Sequence, residues 1–157
     1  SEAVYLTDPE GNGIEIYADR DRSAWGWDGN SVRMATDALD FRNLMATHQP
    51  KSGDWQGAPD GTIIGHVHLR VGDAKEADAW WNESMNFDTV AKYGPAAVFV
   101  TTGGYHHHIG ANVWHSRGAG QRDIDRTGLG WVELKSKEGQ SKTVSDPWGT
   151  EVRVVSA

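Results

Sequence analysis

Two stretches of this chain are near copies of each other, and a chain that repeats itself must fold as repeated units. TIIGHVHL at 62 to 69 aligns without gaps on TGLGWVEL at 127 to 134, sharing Thr, Gly, Val and Leu in register, with His66 opposite Trp131 and His68 opposite Glu133. A second echo links DPEGNGIEIYA at 8 to 18 with DPWGTEVRVV at 146 to 155. One supersecondary unit cannot bury its apolar face alone, so the recurrence implies units that pack on one another. With 157 residues, 38% of them hydrophobic, there is material for one core or two small half-cores sharing a face. One domain spanning 1–157 is therefore expected.

The middle copy, 62 to 115, reads as a complete β-α-β-β-β unit. A strand at 63 to 71 leads to Asp73, which can cap a helix with Glu76 three residues on. Ala77, Trp80, Trp81, Ser84 and Met85 recur at helical spacing and predict its buried stripe. Strands follow at 89 to 93, 96 to 102 and 105 to 114, with a Gly-Pro turn and the Gly103-Gly104 turn between them. The flanking copies are incomplete. Residues 1 to 20 form a partial unit, a hairpin around Asp8-Pro9-Glu10-Gly11. Residues 127 to 157 form an abridged one, in which the strand at 131 to 135 is followed by six residues that cannot hold a helical crossover of a dozen or more, so it should close by a hairpin. Between the first hairpin and the complete unit, 21 to 61 reads as a linker with a short helix at 38 to 47 and a surface connection from 48 to 61.

Charge and composition exclude several roles. A formal net charge of -7 and no Lys/Arg cluster argue against nucleic acid or an anionic membrane as partner. No apolar run approaches the ~18 residues that span a bilayer, and no leader pattern is present, so a cytoplasmic protein is expected. Without cysteine, any metal must be held by imidazole and carboxylate, which suits Fe(II), Mn(II), Zn(II) or Ni(II). The eight tryptophans read as core or interface residues.

Five of the seven histidines fall in IIGHVHLRV and GGYHHHIG. Strand alternation aims His66 and His68 one way, and His106 and His108 likewise, with His107 on the opposite face. The bland readings stand beside this one: His66 as a hydrogen-bonded core histidine, His68 and His106 as packing, Glu15 as a surface partner of Arg20, and Tyr5 as structural.

The β-α-β-β-β unit opening on I-x-H-x-x-L-x-V, together with the D-P-x-G-N-x-x-E hairpin, resembles the vicinal oxygen chelate superfamily of glyoxalase I, bleomycin-resistance proteins and extradiol dioxygenases. The run from Tyr5 to Glu15 fits the extradiol ring-cleavage signature. GIEIYADR, TIIGHVHLRV and GGYHHHIGANVW look like the later part of bacterial four-module catechol 2,3-dioxygenases. The resemblance implies an α+β fold with one complete module flanked by partial ones. It also implies a divalent metal, foremost Fe(II), on Glu15, His66 and His108. Tyr5 would touch the substrate oxygen, His68 or His106 would move the proton, and Trp131 would line the cavity for a small aromatic substrate. In the abridged unit Trp131 and Arg153 fall at the two ligand positions, and the first-strand histidine of Glu15's own module lies outside the chain. The sequence thus reads as a fragment or abridged member, expected to form a homodimer with module exchange. Two other readings are a metal-free binder of the bleomycin-resistance kind and an inactive family member.

Overall fold

The computed structural model describes residues 1–47, 53, 56–137 and 141–157, in two compact units, Ser1–Thr62 and Ile63–Ala157. Much of the expected connection at 48 to 61, including His48, lies outside the described residues.

In the first unit, β1 (Glu2–Thr7) and β2 (Gly13–Ala18) form an antiparallel hairpin that pairs Val4 with Ile16, Tyr5 with Glu15 and Leu6 with Ile14. The turn is held by Asp8, whose Oδ1 accepts from the backbone N–H groups of Glu10 and Asn12, while Gly11 takes the positive φ of 84° that glycine adopts without strain. A two-residue ladder, β3 (Trp27–Asp28) with β4 (Ser31–Val32), and the helix α1 (Phe41–Thr47) complete the unit.

The second unit contains the complete β-α-β-β-β run. It consists of β5 (Val67–Arg70), α2 (Ala74–Met85), β6 (Asp88–Tyr93), β7 (Ala97–Thr101) and β8 (Ile109–Asn112). The sheet order is β5-β8-β7-β6, with β5 parallel to β8 and the other pairs antiparallel. Asp73 starts α2 by accepting from the N–H groups of Lys75 and Glu76. Asn86, at φ 55°, ends it in the left-handed conformation that Asn tolerates. The helix buries Ala74, Ala77, Trp81 and Met85. Ser84 is exposed, so the buried stripe is narrower than its periodicity predicts. All five residues of β7 are buried, which is why AVFVT reads as a continuous run rather than an alternation.

The abridged unit has the same plan with parts missing. β9 (Trp131–Ser136), β10 (Lys142–Ser145) and β11 (Glu151–Ser156) lie in the order β10-β11-β9, with β11 antiparallel to β10 and parallel to β9. That is the β7-β8-β5 part of the complete sheet without its helix and one strand. The hairpin expected here is β10–β11, and β11 lies between β10 and β9. Its turn repeats that of the first unit: Asp146 Oδ1 accepts from the N–H groups of Trp148 and Thr150, and Gly149 takes φ 86°. Val132, Trp148 and Val152 join Leu69, Trp81, Val100 and Ile109 in one core, so the two sheets of this unit share their apolar interior.

Candidate functional site

The histidines converge where β5 begins and β8 is about to begin. Residues 105 to 108 are not strand. Gly103 and Gly104 both take positive φ, 64° and 68°, and the chain re-enters the sheet only at Ile109. His108 pins that re-entry, because its N–H donates to the Val100 carbonyl and its carbonyl accepts from the Val67 N–H. Off the strand, alternation no longer governs side-chain direction, and His106 and His107 are both buried. His107 thus lies with His66 rather than on the opposite face as alternation predicts, their ring centroids 4.3 Å apart. His106 lies 6.0 Å from His66 by the same measure, and the Nδ1 atoms of His106 and His107 are 2.8 Å apart. One donor nitrogen from each of His66, His106 and His107 falls within 4.8 Å of the other two.

The environment of His107 is apolar and crowded with imidazoles. Phe99 packs edge-on at 5.0 Å. Its pKa is lowered from 6.5 to about 2, first by burial and then by His66, His106, His68 and His108. Its Nε2 is buried and has no hydrogen-bond partner among the described residues. An orphaned nitrogen of this kind carries a desolvation penalty unless something fills its coordination.

His66 and His68 do point the same way, with ring centroids 5.0 Å apart. The His68 ring lies against Gly110, where an added Cβ would come within 2.7 Å of it. His108 turns elsewhere. Its Nδ1 accepts from the Thr102 N–H at 3.3 Å and lies 2.8 Å from Thr101 Oγ1, which puts the proton of the neutral ring on Nε2. Sheet register explains the difference. Val67 pairs with Ile109 and Val132 with Val152, so His108 corresponds to Glu151 and Gly110 to Arg153. Because the two Asp-Pro turns align Arg153 with Glu15, the last-strand position equivalent to Glu15 in the complete unit is Gly110, two residues beyond the position that counting from Gly104 predicts.

In the first unit Tyr5 donates to Glu15 Oε1 at 2.9 Å, and Arg20 pairs with Glu2. In the abridged unit Arg153 lies 4.1 Å over the Trp131 ring and bonds Glu151 at 2.5 Å. A cation over an aromatic face thus stands where the complete unit has His66. His107 and Tyr105, which stacks on His106 at 4.1 Å, are the residues the sequence pattern misses. The Gly-Gly pair before them was the available sign that alternation would break.

A β-α-β-β-β unit with its first strand parallel to its last, followed by an abridged copy on the same core, is an α+β fold, the arrangement that the vicinal oxygen chelate resemblance implies. The chain is similar to a protein named Catechol-2,3-dioxygenase from Bacillus subtilis (strain 168), with 48% identity over 139 residues, covering 85% of this chain and 47% of that protein. It therefore spans about half the length of this curated relative. Among solved structures it is similar to lactoylglutathione lyase from Agrobacterium tumefaciens (14% identity, TM-score 0.44, 62% of this chain and 94% of that one). It is likewise similar to a possible glyoxalase from Bacillus cereus (12% identity, TM-score 0.43, 60% and 98%). No protein-family model matches the chain. Among the described residues, no helix is long and apolar enough to cross a membrane.

Proposed function

We propose that this chain carries the metal-binding part of an extradiol-type dioxygenase that acts on a catechol-like substrate with two vicinal oxygens. The observation that carries this reading is the convergence of buried imidazoles on His66, in a chain 48% identical over 139 residues to a protein of that name. The donor chemistry fits a divalent metal, since neutral imidazoles and one orphaned nitrogen offer lone pairs. Fe(II) is the ion proposed, with Mn(II), Zn(II) or Ni(II) as alternatives. His66 is a ligand on both geometry and resemblance, and Glu15 on resemblance alone. Such a metal, when bound, supplies Lewis acidity toward the two oxygens and, as Fe(II), redox chemistry with O₂.

The chain's own groups take the remaining roles. Tyr5, oriented by Glu15, contacts a substrate oxygen. His68, whose ring centroid lies 5.5 Å from that of His107, is the proposed proton carrier. Trp131 offers an aromatic face to the substrate ring. The chain acts as a homodimer with module exchange.

The test is to load the tag-free protein anaerobically with Fe(II), add catechol and oxygen, and follow oxygen uptake and the yellow ring-cleaved product. Activity that falls by ~100-fold or more in His66→Ala supports the reading. Catechol binding that quenches tryptophan fluorescence without oxygen uptake refutes it and favours a sequestering protein.

A further inference from the structure

We infer that His66, His106 and His107 form a three-imidazole site that binds one divalent transition metal within the second unit, with His107 as a ligand rather than a packing residue. Neither the strand pattern nor the vicinal oxygen chelate resemblance assigns His107 a role.

Two observations converge. The donor nitrogens of the three rings lie within 4.8 Å of one another, and a metal about 2.1 Å from each needs them roughly 3 to 3.5 Å apart, so the rings draw together on binding. His107 Nε2 is buried without a partner in a residue only 7% exposed. A buried polar atom left empty is rare, and a metal satisfies it as a hydrogen bond would. His106 and His107 already meet at 2.8 Å through their Nδ1 atoms; that hydrogen bond occupies one nitrogen of each ring, and ligation by both rings replaces it.

Three neutral nitrogens without a thiolate select borderline ions, Fe(II), Co(II), Ni(II) and Zn(II), over Mg(II) or Ca(II). They also leave the dication's charge uncompensated and a coordination position open for an oxygen ligand. His108 is not part of the set, whose grouped donor atoms are those of His66, His106 and His107.

The test uses the whole chain without a polyhistidine tag and reads metal binding, not turnover, so it stands or falls apart from the dioxygenase reading. Zn(II) titration should give one site per chain, and Co(II) a visible ligand-field spectrum. His107→Phe should weaken Zn(II) binding by more than ~100-fold. The exposed His115→Ala should keep one Zn(II) per chain. If His107→Phe does not fold, X-ray absorption of the Zn(II)-loaded wild type decides by counting imidazoles. Three support the site and two or fewer overturn it. No stoichiometric Zn(II), or loss on Glu15→Ala with retention on His107→Phe, also overturns it.

Discussion

At the scale of single residues, His107 and Gly110 show most directly what the fold asks of its side chains. Unfolded, His107 takes up a proton near pH 6.5; folded, it resists protonation until about 2, chiefly because it is buried. Between those values the unfolded chain holds more protons, so stability rises with pH and is lost as pH falls below about 6.5. The metal-free protein should lose roughly 1.4 kcal/mol per pH unit from this group below that point. His107→Phe should remove that part of the slope. Urea denaturation at a series of pH values reads both, and equal slopes in the two proteins would refute the assignment. At Gly110 a methyl group would enter the space of the His68 ring. Gly110→Ala should therefore destabilise by about 1–3 kcal/mol, as overpacking does, whereas Ala at the open Gly120 gives no such clash. Thermal denaturation of the two variants makes the comparison.

At the scale of elements, the sequence announces the units more clearly than their edges. The repeat identifies β5 with β9, the capping pattern at Asp73 and Glu76 predicts α2, and the Asp-Pro-x-Gly runs predict two turns that share their main hydrogen bonds. What the pattern misjudges is where strand pairing stops. Ile63 and Ile64 extend the apolar run before β5, yet they precede the strand and are 81% and 84% exposed. Residues 105 to 108 carry strand-like composition, but two glycines at positive φ lift them off the sheet. The candidate site suffers most, since alternation and residue counting both depend on an unbroken strand. The nearness of His66 to His68 was legible, whereas the place of His107 and the displacement of His108 depend on tertiary register. The twin turns also allow a direct comparison. Asp8 is half-buried and hydrogen bonding lowers its pKa, whereas the deeper burial of Asp146 raises its own despite the same backbone bonds. Asp146→Ala should cost about 1–3 kcal/mol by leaving buried N–H groups unpaired, and Asp8→Ala measurably less, because water replaces its carboxylate. Equal losses in guanidinium melts would show that burial does not separate the two turns.

At the scale of the whole molecule, the first unit carries a face that its own strands do not cover. The cross-strand pairs Val4 with Ile16 and Leu6 with Ile14 lie on one side of the β1–β2 hairpin, and all four side chains are 38% to 60% exposed. Two-stranded hairpins are marginal in water, and a contiguous apolar stripe of this kind invites association. A second copy offers the same stripe about a two-fold axis, so one self-complementary surface covers both. This is the form of the proposed homodimer most directly tied to particular residues. Sedimentation at micromolar concentration should give the mass of two chains, with a melting temperature that rises with concentration. Leu6→Lys and Ile16→Lys place charges in that interface and should shift the protein toward monomer while leaving the second unit's core, built on Trp81 and Val100, intact by near-ultraviolet circular dichroism. A monomer with concentration-independent melting would mean that the stripe is covered by some other polypeptide, and the chain would then need that partner rather than a second copy of itself.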